Sequence, residues 1–182
     1  MTVPNLITTI RIILTPIFVI YIINDELISG LIILIISGVS DGIDGFLARL
    51  FNQKSKLGAY LDPLADKIIL ISAFVTLSLK GFLPAWLTVM VISRDIMILM
   101  GILIMFLNGM KIVIRPAIAS KITTCLQFIT VILVLSREFF SGFEKYYPVL
   151  FYLTAFFTIV SFLQYMYQWF KFAWDAKEPS QG

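Results

Sequence analysis

Histidine is missing from the 182 residues, and cysteine occurs once. Without an imidazole there is no histidine general base and no histidine-ligated metal. Proton transfer then falls to carboxylates, lysine, tyrosine or water. The lone Cys125 excludes an internal disulfide and any multi-cysteine zinc site; in its apolar surroundings it is expected to be a small packing residue. Charge is scarce as well: Asp, Glu, Lys and Arg make up 14% of the chain, with a formal balance of +3. That balance forms no basic stripe, so nucleic acid is not an expected partner. No basic leader and no small-residue cleavage site precede Asn24, so the first apolar segment is expected to stay in place. Internal repeats and low-complexity tracts are absent too.

What the chain has in excess is hydrocarbon. Hydrophobic residues reach 59% and the mean hydropathy is +0.96, against roughly 45–50% apolar residues in a soluble domain. The apolar stretches divide into six, at 6–24, 27–50, 59–79, 84–107, 117–136 and 146–172, each near the roughly 20 residues that a bilayer requires. The expected fold is therefore an all-α integral membrane protein of six transmembrane helices. Residues 1–174 would form one membrane domain, followed by a short polar tail at 175–182. Arg49, Lys54, Lys56, Lys111, Arg115, Lys171 and Lys177 gather in one set of loops, whereas the other set is acidic or balanced. The positive-inside rule then puts both termini in the cytoplasm of a multi-pass protein. The expected location is a bacterial cytoplasmic membrane. Tyr146, Tyr147, Trp169 and Trp174 read as residues of the membrane interface.

Against that background four acids stand out: Asp41, Asp44, Asp62 and Asp66, within 26 residues. A carboxylate at bilayer depth is costly and marks function by default. Asp41 and Asp44 are three apart, and Asp62 and Asp66 four apart. On helices each pair projects from one face. A short basic turn joins the two pairs, so the ends of the second and third helices should face each other around a polar, metal-binding cavity at the cytoplasmic side. Four converging carboxylates repel unless cations lie between them, and all-oxygen ligation suits one or two Mg²⁺ or Mn²⁺ ions. Gly45, Ala48 and Gly58 thin the same surfaces. Arg49 offers a planar fork for a phosphate, and Pro63 marks a helix start or a kink. Metal ions, small residues and an arginine together suggest phosphoryl-type transfer. The alternative is that the acids only pair with Arg49, Lys54, Lys56 and Lys67.

The string D-x2-D-G-x2-A-R-x8-G-x3-D-x3-D, from Asp41 to Asp66, resembles the signature of the CDP-alcohol phosphotransferases at every fixed position. The resemblance implies six transmembrane helices, often as a homodimer, and a site open to the cytoplasm. It implies two divalent cations held by Asp41, Asp44, Asp62 and Asp66, with Asp66 also the general base on the acceptor hydroxyl. Gly45, Ala48, Arg49 and Gly58 would embrace the cytidine nucleotide. The acceptor oxygen would attack the lipid-linked phosphorus of CDP-diacylglycerol, and CMP would leave.

Further cations bear on the acceptor. Arg94 and Asp95 fall inside the fourth span, Lys121 at the start of the fifth beyond Arg115, and Arg11 within the first. Cations aimed at one cavity would select an acceptor that carries its own phosphate. The plain alternative is Arg94–Asp95 pairing with a neighbouring helix and Lys121 reaching for the interface. The P-N-L-I-T-x-x-R start is similar to both the phosphatidylglycerophosphate synthases and the cardiolipin synthases of the family. The I-S-R-D-I-M and R-P-x-x-x-S-K-x-x-T-x-x-Q stretches, the latter running from Arg115 to Gln127, are closer to the CMP-forming cardiolipin synthases. The acceptor implied is phosphatidylglycerol or, alternatively, glycerol 3-phosphate; inositol phosphate or serine would fit the same signature. A cation or proton transporter is the reading from a different class, since intramembrane Asp, Arg and Lys also mark such proteins.

Overall fold

The computed structural model describes the backbone of residues 3–50, 58–107, 118–139 and 142–175. It describes the side chains of 11–40, 67–101, 104, 119–139, 142 and 144–170. Six α-helices occur among the described residues: α1 (Val3–Ile23), α2 (Leu27–Leu50), α3 (Gly58–Leu79), α4 (Ala85–Leu107), α5 (Ile118–Leu135) and α6 (Tyr147–Asp175). One turn of 3₁₀-helix, Phe143–Tyr146, leads into α6. No strand occurs among the described residues. The helices fall where the apolar stretches do because polar breaks end them. Pro63 lies inside α3, which already begins at Gly58.

Two of those ends share one device. Asp25 and Gly81 adopt positive φ, at 65° and 75°. Glu26 N–H then donates to the Tyr21 carbonyl (2.9 Å) and Asp25 N–H to that of Ile22 (3.1 Å); Phe82 and Gly81 do the same to Leu77 and Ser78 (2.9 and 3.0 Å). This pairing satisfies helix carbonyls that would otherwise be stranded. Lys80 Nζ lies 2.7 Å from Asp25 Oδ1, so α1 and α3 end side by side and run parallel.

The chain forms two compact units. The first comprises Met1–Pro84 and Val131–Glu144, the second Ala85–Thr130 and Lys145–Gly182. In the first, α1 packs against both α2 and α3 around Phe18, Ile22, Leu34, Ile69, Phe74 and Leu77. At Gly30 a Cβ would collide with the Ile22 side chain, so glycine lets α2 approach α1 closely, as in many lipid-facing helix pairs. Arg137 joins this unit by lying over the Phe82 ring, 4.7 Å from its centroid.

In the second unit three contacts climb α4 and α6 in the same order: Trp86 stacked on Tyr152 (5.5 Å), Arg94 bonded to Ser161, and Gly101 against Trp169. These helices are therefore parallel. The contacts of α5 with α6 run the opposite way, Thr123 to Phe157 and Thr130 to Thr154, so α5 returns antiparallel. The Trp169 ring occupies the space a Cβ at Gly101 would need. Gly101→Ala should therefore destabilise the protein by about 1–3 kcal/mol, read as a lower melting temperature in detergent; Gly38→Ala, with open space around it, should not.

Polar side chains share the interior with the apolar core, and large apolar side chains also cover the outside. Ile13, Ile20, Val89, Tyr152 and Phe156 are exposed, while Arg11, Arg94, Asp95, Thr123, Gln127, Thr130, Thr154 and Ser161 are buried. A lipid solvent imposes this pattern, because helices there gain little by hiding hydrocarbon and much by pairing polar groups. The stretch Glu144–Phe170, 27 residues, is long and apolar enough to cross a membrane. Among the residues with described side chains the other apolar helical stretches, such as 27–40 and 119–135, are shorter. Cys125 corrects an expectation: it is exposed on α5, because its neighbours Thr123, Thr124 and Gln127 turn the more polar face inward.

Candidate active site

Asp41, Asp44, Gly45, Ala48 and Arg49 lie on the last ten residues of α2, and Gly58, Asp62 and Asp66 on the first nine of α3. Three residues of helix separate Asp41 from Asp44, a rise of about 4.5 Å, and four separate Asp62 from Asp66, about 6 Å. Each pair is thus on one helix face, and both helices pack on α1. The side chains of these eight residues, and the connection at 51–57, lie outside the described residues. The donor chemistry itself fits a hard divalent cation: four carboxylates, with neither imidazole nor thiolate among them.

The cations considered for the acceptor fall into separate groups. Arg11 is on α1 in the first unit, almost fully buried, with its backbone carbonyl accepting from the Thr15 hydroxyl at 3.1 Å. Arg115 lies outside the described residues. Lys121 is on α5 in the second unit and exposed.

Arg94 is 3% exposed and ties three helices together. Its Nη1 donates to Asp95 Oδ1 on α4, and its Nη2 to Ser120 Oγ on α5 and Ser161 Oγ on α6, each at 2.6 Å. Adjacent residues on a helix do not face each other, so the long guanidinium stem must curl back to reach Asp95. The Tyr165 ring lies 5.8 Å from Arg94 Cζ, within cation–π range. The plain alternative raised from the sequence, a paired Arg94, therefore describes its local geometry, with Lys121 immediately following one of its partners.

The structure also brings in residues that the sequence reading did not single out. Ser161 completes the Arg94 cluster. Thr130 and Thr154 share a hydrogen bond at 2.8 Å, and the Thr123 hydroxyl reaches the Phe157 carbonyl at 2.9 Å. The signal was there: Ser120, Thr123, Gln127 and Thr130 recur at helical spacing on α5, as do Thr154, Thr158 and Ser161 on α6.

Residues 1–161 match the CDP-alcohol phosphatidyltransferase family. The chain belongs to that family of membrane-bound enzymes. The human protein named cardiolipin synthase (CMP-forming) is 34% identical over 90% of this chain, and the rat protein of the same name 33% over 90%; each match takes in 60% of the relative. The chain thus spans under two thirds of the length of these animal relatives. A Bacillus subtilis protein named CDP-diacylglycerol--glycerol-3-phosphate 3-phosphatidyltransferase is 32% identical over 97% of both chains.

Proposed function

We propose that this protein transfers a phosphatidyl group from CDP-diacylglycerol to the hydroxyl of an anionic glycerol-type acceptor, releasing CMP, with Mg²⁺ or Mn²⁺ as cofactor. The observation that carries the reading is the eight-position signature on the joined ends of α2 and α3, in a chain of this family. The preferred acceptor is phosphatidylglycerol, which makes the product cardiolipin. Support comes from the Arg94-Asp95 and Arg115-to-Gln127 stretches and from the names of the animal relatives. Glycerol 3-phosphate is the second reading, favoured by the near end-to-end match to the Bacillus subtilis protein. The same reading has six membrane-crossing helices, with both termini and the aspartates at the cytoplasmic side, and a homodimer.

In this mechanism Asp41, Asp44, Asp62 and Asp66 hold two divalent cations. Bound there, the cations would neutralise the pyrophosphate and stabilise attacking and leaving oxygens. Arg49 binds phosphate through its guanidinium fork, while Gly45, Ala48 and Gly58 let the nucleotide lie against the backbone. Asp66 takes the proton of the acceptor hydroxyl as its oxygen forms the new bond to the lipid-linked phosphorus. The pyrophosphate bond breaks, and the electron pair leaves on CMP. Arg11, Arg94, Arg115 and Lys121 are the acceptor-side cations in this reading; Lys121, exposed on α5, could meet an anionic group without first leaving a buried ion pair such as that of Arg94.

Purified protein given CDP-diacylglycerol and Mn²⁺ should release CMP with phosphatidylglycerol, and not with serine or inositol phosphate. CMP with glycerol 3-phosphate instead would transfer the assignment to the second reading. Chelation should silence the reaction and Mg²⁺ or Mn²⁺ restore it; turnover that survives chelation would sink the metal mechanism.

A further inference from the structure

Gln127, in the middle of α5, is fully buried, and neither Oε1 nor Nε2 has a hydrogen-bond partner. A buried carboxamide without partners is rare enough in folded proteins to point to an unseen one. The neighbouring chemistry restricts what that partner is. Thr123, Thr124 and Thr130 share its helix face at positions i−4, i−3 and i+3. Each spends its hydroxyl hydrogen on backbone carbonyls: Thr123 on Ala119 and Phe157, Thr124 on Ser120, and Thr130 on Leu126. These hydroxyls retain lone pairs but have no hydrogen left for Gln127 Oε1. A single group that brings its own hydrogen to Oε1 and offers a lone pair to Nε2 would satisfy both atoms.

We infer that Gln127 is the receptor for a hydroxyl group, supplied by an internal water or by the acceptor alcohol through a hydroxyl other than the one that gives its proton to Asp66. Both sources present one O–H donor beside acceptor lone pairs, the complement of a carboxamide. Gln127 closes the Arg115-to-Gln127 stretch, two helical turns beyond Ser120, the residue that holds Arg94. The alcohol source rests on the phosphatidyl-transfer reading; the water source does not.

Gln127→Leu and Gln127→Glu, made in the full chain, separate these cases. Leucine keeps the bulk and removes the polar atoms. Glutamic acid, kept neutral by burial, still offers a donor and an acceptor. The readouts are the melting temperature without substrate and the KM values for phosphatidylglycerol and CDP-diacylglycerol, followed by CMP release. If water fills the site, the leucine variant melts several degrees lower, glutamic acid restores most of the loss, and both KM values hold. If the acceptor hydroxyl fills it, the leucine variant melts like the parent while KM for phosphatidylglycerol alone rises about tenfold. A leucine variant that melts as high as the parent or higher, with both KM values unchanged, overturns the inference, because removing an unpaired buried amide is then neutral or stabilising. A destabilised leucine variant that glutamic acid fails to rescue overturns it too. If the parent protein releases no CMP with any acceptor, the phosphatidyl-transfer reading fails, and the melting comparison still judges the hydroxyl.

Discussion

Asp66→Asn is expected to lower CMP release by about 10³-fold or more while CDP-diacylglycerol still binds. The substitution keeps size and an oxygen ligand but removes the group proposed to take the acceptor proton, and in a chain without histidine no imidazole can replace it. Binding of labelled CDP-diacylglycerol, measured beside turnover, makes the result specific. Asp62→Asn, one turn earlier on α3, would change a proposed metal ligand but not the proposed base, so it should lower turnover less than Asp66→Asn does. Full turnover in Asp66→Asn would remove that residue as the base. Equal loss of binding and of turnover in both variants would leave Asp66 a ligand alone and send the proton to water.

Arg94→Ala should cost stability first. The guanidinium and the Asp95 carboxylate are both almost wholly buried, and removing one member of such a pair takes from the other its charge partner, a loss of up to about 3–5 kcal/mol. It also removes the hydrogen bonds by which Arg94 of α4 holds Ser120 of α5 and Ser161 of α6. Replacing both charges, as in Arg94→Leu with Asp95→Leu, should recover much of that loss, because a buried pair is often no more stable than apolar residues of similar volume. The double variant then isolates the acceptor. If it melts near the parent but shows a raised KM for phosphatidylglycerol, Arg94 serves the acceptor as well as the fold; an unchanged KM confines it to the fold. Lys121→Ala, at an exposed position, should leave melting alone and raise the acceptor KM.

Helix positions and the grouping of the aspartates were legible because they depend on local pattern. The α2 boundaries follow from Asn24-Asp25-Glu26 on one side and a basic turn on the other, and spacing alone puts Asp41 and Asp44 on one face. The Arg94 cluster was not legible in the same way. Its third partner, Ser161, lies 67 residues away, and only the parallel register of α4 and α6 brings it near. Hydropathy also misleads about direction here. In water the isoleucines of α1 and α2 would be the core, whereas here many are exposed and threonines are inside. The burial of Cys125 was misjudged for that reason: its surroundings in sequence are apolar, but its helix face is the outer one.

The parallel pairing of α4 with α6 has a consequence for biosynthesis. A ribosome delivers the N-terminal part first, so α4 emerges long before the helix that receives it. Until Ser161 arrives, the Arg94–Asp95 pair must wait without its α6 partner, and Trp86 without Tyr152. The first unit is likewise incomplete until Val131–Glu144 has been made. Neither unit can therefore close during the early part of translation. In nascent chains halted before α6 the second unit should remain open to proteases and to chaperones that hold exposed helices, with its protection appearing late and abruptly as the last helix joins α4.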